Sequence, residues 1–161
     1  MQRNKQGFTL IELLAVVLII GIMTSIALPQ YRRSIERAEA TDAMVSLRSI
    51  YDSAKRQKAA TSVAPTRLKG LDVSFFDADV NDCIGKFCYT FSPTYVQAQR
   101  AVGNNRYYAF RFYYGDNTYG RDTMTCVKGQ AAGGEAKYDW ICEALGEPLN
   151  GESTTEYEID G

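Results

Sequence analysis

From Phe8 to Leu28 the chain is apolar, broken only by Thr9, Glu12, Gly21, Thr24 and Ser25. Such a run has no polar face, and about 20 apolar residues suffice to cross the hydrocarbon core of a bilayer. After Pro29 the pattern changes character. Ala40, Ala43, Met44, Leu47, Ile50, Tyr51 and Ala54 recur at three- and four-residue spacing, which places them on one stripe of an amphipathic helix. Arg32 with Glu36, Arg48 with Asp52, and Asp52 with Arg56 are i,i+4 pairs of opposite charge on the remaining surface. Lys55, Arg56 and Lys58 follow in the last turns, where cations suit the helix dipole. These patterns predict one helix over 8–60, roughly 80 Å long at 1.5 Å per residue. Pro29 removes one helical hydrogen bond and crowds the preceding turn, so with Gly21 it marks a segment of weakened helix, 21–29.

Thr61-Ser62-Val63-Ala64-Pro65 breaks the helical pattern, and no helical period returns through Gly70 to Asp82. Alternation then takes over. In Phe87-Cys88-Tyr89-Thr90-Phe91 and in Tyr108-Ala109-Phe110-Arg111-Phe112-Tyr113-Tyr114, the aromatic residues at every second position read as half-buried strands. Further strands are predicted at 94–102, 122–128 and 136–142, divided by Gly103-Asn104-Asn105, Gly115-Asp116-Asn117 and Gly133-Gly134. The fold class implied is α+β: a long N-terminal α-helix, membrane-spanning in its first half and amphipathic in its second, packed on an antiparallel β-sheet head. The even-numbered aromatics are assigned to the core. Tyr107 and Tyr113, on the other face, are the candidates for a contact surface.

Composition and charge refine this picture. The 161 residues, 45% hydrophobic and 23% charged, amount to one domain beyond the apolar segment, and the net charge of −1 points to no polyanionic partner. Arg3 and Lys5 precede the apolar run with no acid among them; a basic flank stays on the cytoplasmic side and directs the downstream chain outward. All four cysteines, Cys83, Cys88, Cys126 and Cys142, fall in the outward part, as disulfides in an oxidising compartment would. The C-x4-C and C-x15-C spacings and the absence of histidine argue against a zinc site. Gly85 permits a tight turn between Cys83 and Cys88, and Cys126 and Cys142 fall on neighbouring expected strands, so the pairing favoured is 83–88 with 126–142.

Glu12 is the residue that length and hydropathy leave unexplained. A carboxylate within a membrane span costs about 2.5 kcal/mol or more on insertion scales and usually marks a functional pairing. A cleaved secretory signal ending near Ser25-Ile26-Ala27 would need a longer apolar stretch than such signals carry, with an acid inside it. A plain anchor explains the length but not the acid.

Gly7-Phe8-Thr9-Leu10-Ile11-Glu12-Leu13-Leu14, behind a short basic leader and ahead of Val16-Val17-Leu18-Ile19-Ile20-Gly21-Ile22, resembles the class III signal of type IV pilins and of the related pseudopilins of type II secretion. The resemblance implies cleavage by a prepilin peptidase after Gly7 and methylation of the new amine at Phe8. Glu12 is then the fifth residue of the mature chain, and its carboxylate would meet the amine of a neighbouring subunit in the fibre. The layout is a leader (1–7), a transmembrane and polymerisation half-helix (8–29), an amphipathic half-helix (30–60) and a globular head (61–161) with a disulfide-stapled C-terminal region. The implied partners are identical or related pilin subunits, the prepilin peptidase and an inner-membrane assembly platform. The implied route runs from a single-pass inner-membrane precursor with a periplasmic head to an extracellular fibre serving adhesion, twitching motility or DNA uptake.

Other readings are weighed against this one. A pseudopilin of type II secretion shares the same N-terminal signal. A membrane-anchored DNA- or ligand-binding receptor would rely on Arg100, Arg106, Arg111 and Lys128, basic residues interleaved with aromatics. Asp77-Ala78-Asp79-Val80-Asn81 begins like a calcium loop, but Asp82 replaces the required glycine and Cys88 the closing glutamate. The acidic tail from Glu152 to Asp160 reads as solvated. Without histidine, a phosphate-binding glycine loop or an unpaired cysteine, no catalytic constellation forms, so neither catalysis nor a cofactor or metal is expected.

Overall fold

The computed structural model describes residues 9–73, 81–103, 105–115, 122–129, 138–149 and 155–159. A helix, α1, runs from Leu10 to Thr61 with Pro29 inside it. The chain divides between Glu39 and Ala40 into two compact units.

In the first unit the apolar side chains of α1 lie open. Leu10, Val17, Ile20, Met23 and Ile26 are all more than half exposed. The few polar side chains bond back to the helix: Thr24 Oγ1 donates to the Ile20 carbonyl at 2.6 Å, and Ser25 Oγ to that of Ile22 at 2.7 Å. Hydroxyls satisfied in this way suit an apolar solvent, which offers them no other acceptor.

In the second unit the amphipathic stripe does what its spacing requires. Ala40, Ala43, Leu47, Ile50, Tyr51 and Ala54 are buried. The helix closes with Ser62 in the left-handed region (φ 59°), its N–H bonded to the Lys58 carbonyl at 2.8 Å. That arrangement satisfies a carbonyl the last turn would otherwise leave open. The loop after α1 is tied back to the helix: Ser53 donates to Asp72, and Arg56 grips the same carboxylate with bonds of 2.7 to 3.0 Å. Asp72 therefore takes the arginine that i,i+4 spacing had offered to Asp52.

Among the described residues, seven strands form one antiparallel sheet. They are β1 (Cys83–Ile84), β2 (Phe87–Phe91), β3 (Tyr95–Val102), β4 (Asn105–Tyr113), β5 (Thr123–Val127), β6 (Glu147–Pro148) and β7 (Glu156–Ile159), with a short helix α2 (Trp140–Leu145) between β5 and β6. Their order is β1-β2-β3-β4-β5-β7-β6. Alternation delivers one face to the core: Phe87, Tyr89, Val96, Ala98, Tyr108, Phe110, Phe112, Met124 and Cys126 join the helical stripe in one cluster. The Tyr51 ring stacks on Phe112 at 3.9 Å and on Tyr114 at 5.2 Å. The α+β class and one-sided burial expected from the pattern are thus the architecture found.

Two elements differ from expectation. Instead of a strand over 136–142, the chain forms α2, in which the neighbouring residues Ile141 and Cys142 are both buried. Strand alternation would send neighbours to opposite faces, whereas one helical turn lets both point inward. The acidic tail, read as solvated, supplies β7. Tyr157 is buried, and its flanking glutamates pair with Val127 and Thr125 of β5. All four cysteines are bonded, Cys83 to Cys88 across β1 and β2, and Cys126 of β5 to Cys142 of α2. The second bond therefore joins strand to helix rather than strand to strand.

Candidate assembly segment of the N-terminal helix

The start of α1 shows what occupies Glu12. Thr9 is the residue before the first helical position, and its N–H and hydroxyl both donate to Glu12 Oε2, at 2.8 and 2.7 Å. The Glu12 N–H points back to Thr9 Oγ1 at 3.4 Å. This reciprocal arrangement is a capping box, which satisfies amide hydrogens that the first helical turn leaves without carbonyl partners. Its sequence signal, Thr-x-x-Glu ahead of an apolar run, was present at Thr9 and Glu12. Reading Glu12 as an isolated acid overlooked it.

The cap changes the electrostatic position of Glu12 without settling it. Both bonds from Thr9 fall on Oε2, and neutral donors spread the negative charge but do not cancel it. In an apolar surrounding an ionised carboxylate still favours a cation. Around it, Leu10, Ile11, Leu13 and Leu14 are exposed by 56 to 79%. The acid therefore sits within a broad apolar surface.

Gly7 and Phe8 lie outside the described residues. Gly21 stands in the open apolar stretch, with nothing near the place its Cβ would take. Pro29 lies inside α1 and, having no N–H, leaves the Ser25 carbonyl without its helical donor. By length and composition α1 is able to cross a membrane, and the window that qualifies it is open along its whole length.

The basic residues on the head divide. Arg100 is buried, its guanidinium carbon 5.8 Å from the Phe87 ring centre and 5.4 Å from that of Tyr138. It serves the interior and is unavailable as a surface contact. Arg106, Arg111 and Lys128 lie together on the sheet face away from α1. Tyr107 and Tyr113, expected as contact surface, are half-buried. Tyr107 packs edge-on to Tyr138, and the Tyr113 hydroxyl donates to Glu156 at 3.1 Å. Burial above all pushes the Tyr113 hydroxyl up to about 12. The calcium-like stretch from Asp77 to Val80 lies outside the described residues.

Residues 2–28 match the family described as the prokaryotic N-terminal methylation motif. Over that N-terminal stretch and somewhat beyond it, the chain is similar to type IV pilins and to a type II secretion protein. A fimbrial protein of Pseudomonas aeruginosa is 35% identical over 88 residues, covering 52% of this chain and 57% of that protein. The type IV major fimbrial protein FimA of Dichelobacter nodosus is 50% identical over 44 residues, 27% of this chain and 28% of its own. The type II secretion system core protein G of Vibrio cholerae is 33% identical over 70 residues, 44% and 48% of the two chains. The matches thus span from 28% to 57% of these relatives' own lengths. No solved structure gives a significant match. The N-terminal likeness to pilins and the apolar helix together fit a membrane-anchored precursor.

Proposed function

We propose that this protein is a structural subunit of a type IV pilus fibre, cut after Gly7, methylated at Phe8 and assembled through the first half of α1. The observation that carries the reading is Glu12, a capped carboxylate that meets no cation among the described residues, amid exposed leucines and isoleucines. Cleavage at Gly7 creates a cationic amine at Phe8, four residues before the acid and about 6 Å along the axis in a continued helix. A neighbouring subunit shifted by that rise brings its carboxylate to the amine. Inside an apolar fibre an unpaired charge costs several kcal/mol, so only the paired register is retained. Gly21 and Pro29 give the helix a weak segment that assembly can bend. The basic leader keeps residues 1–7 cytoplasmic and sends the head into the periplasm, and the assembly platform and peptidase act from the membrane.

The role is one of assembly rather than catalysis. The pseudopilin alternative draws support from the Vibrio cholerae relative, and the fimbrial relatives favour the surface fibre. Mass spectrometry of the mature protein tests the processing step: methyl-Phe8 at the N-terminus is expected, and a terminus near Leu28 would overturn the proposal. Sheared surface fibres seen by electron microscopy are expected for a pilus; a fibre confined to the periplasm would favour the pseudopilin.

A further inference from the structure

The sheet face turned away from α1 holds a cleft of about 250 Å³, lined by Gln97, Gln99, Arg106, Tyr107, Ala109, Arg111, Val127 and Lys128. Register explains how these residues meet. Gln97 stands opposite Arg111, Gln99 opposite Ala109, and Ala109 opposite Val127. Between the pairs Gln99–Ala109 and Ala101–Arg106, β4 carries one residue more than β3. This bulge shifts the alternation by one position, which puts Arg106, opposite Ala101, on the same face as Gln99 and Ala109. Ala109 and Val127 are buried but stand apart from the main core; they form an apolar floor.

The walls are ordered and carry excess positive charge. Arg111 Nε donates to Gln97 Oε1 at 2.8 Å, Gln97 Nε2 to Gln99 Oε1 at 3.2 Å, and Gln99 Nε2 to the Tyr107 carbonyl at 3.2 Å. The Arg111 guanidinium lies over the Tyr95 ring, 5.1 Å from its centre. Its orientation is fixed by these neutral groups, and among the described residues no carboxylate pairs with it or with Arg106. Lys128 is matched by Glu143 at 2.7 Å. The Arg111 guanidinium also donates to the Tyr113 hydroxyl; held by neutral groups and matched by no carboxylate among the described residues, its remaining N–H groups can receive a planar oxyanion.

We propose that this cleft binds an acidic sugar. Its carboxylate is taken by Arg111, its hydroxyls by the Gln97 and Gln99 amides and Arg106, and its C–H face rests on Ala109 and Val127. The cleft is far roomier than a lone carboxylate or phosphate requires, and each glutamine amide keeps a second N–H beyond the bonds above. A long polyanion fits less well. Glu156 and Glu158 of β7, opposite Val127 and Thr125, put an acidic strip beside the cations on the same face. The proposal is independent of the assembly reading, since the cleft lies across the sheet from the helical stripe.

Calorimetric titration of the full-length protein in detergent micelles tests it, with glucuronate as the probe and glucose, inorganic phosphate and a single-stranded oligonucleotide for comparison. Glucuronate should bind, more weakly as salt rises, and glucose should not bind measurably. Loss of one charge-assisted contact in Arg111→Gln should weaken binding about tenfold or more. Arg106→Gln should weaken it by a smaller factor. Arg106 is exposed and bonds to no other described residue, so a loss there cannot be ascribed to a damaged fold. Lys69→Gln, on the loop between α1 and β1, should change nothing. No binding of glucuronate, binding indifferent to both arginine substitutions, or phosphate binding equal to glucuronate would overturn the proposal. Oligonucleotide binding that tightens with length would overturn it in favour of nucleic acid.

Discussion

The two halves of α1 are alike in backbone and opposite in what they ask of their surroundings. Over residues 40–54 the apolar positions form a stripe, and the sheet of the same chain covers it. Over residues 10–28 they run all around the helix, and among the described residues of the compact unit that holds them nothing covers them. A stripe can be buried by one neighbour. A fully apolar cylinder needs a surrounding medium, whether lipid or several helices like itself. The first half is therefore specified by partners outside the chain and the second by partners inside it.

That contrast can be broken by substitution. Phe110→Ala removes a fully buried ring from beneath the helical stripe, and aromatic truncations in cores cost about 3–5 kcal/mol. Near-ultraviolet circular dichroism of the full-length protein in detergent should show the head unfolding at much lower denaturant. Ile19→Ala, in the exposed half, should leave that midpoint unchanged and weaken only the fibre. Equal loss of head stability in both variants would contradict the division.

A smaller effect sharpens the boundary at the helix end. The Ser53 hydroxyl first, and Arg56 second, hold the Asp72 carboxyl below its usual range. Because the folded value is the lower one, the stabilisation is complete above the unfolded value of about 3.9. It fades as pH falls through the folded one. Acid titration of head unfolding should show this loss below about pH 4, and Ser53→Ala should flatten it. Asp72 is solvated, so the change will be slight. A Ser53→Ala profile identical to the parent would remove Asp72 from the account.

Much of this was legible in the sequence because burial leaves periodic traces. The stripe from Ala40 to Ala54 and the alternating aromatics of β2 and β4 gave the helix, the sheet and the face that joins them. What escaped was masked by stronger signals. In Glu156-Tyr157-Glu158-Ile159 the charges suggested a solvated tail, although alternation was present and its glutamates lie on the outer face of a strand. Residues 136–142 resembled a strand, but a bond to Cys126 and two buried neighbours required a helical turn. Arg100 looked like surface because arginine usually is. Only its place on β3, between the Phe87 and Tyr138 rings, reveals it as interior.

The candidate site shows the same limit from the other side. Glu12 stood out at once by cost, yet its capping bond to Thr9 was overlooked. The acid closes its own helix, and the proposed assembly gives it a second, separable task, meeting a cation from a neighbour. Glutamine can do the first and not the second, since its amide oxygen still accepts from Thr9 but carries no charge. The decisive measurement is the yield of sheared fibres from cells producing Glu12→Gln, beside Glu12→Val and the parent, with membrane insertion and cleavage at Gly7 verified in each. Fibre loss in both variants, with processing intact, is the result expected if assembly selects the ion pair. Normal fibres from Glu12→Gln would reduce Glu12 to a helix cap and contradict the account.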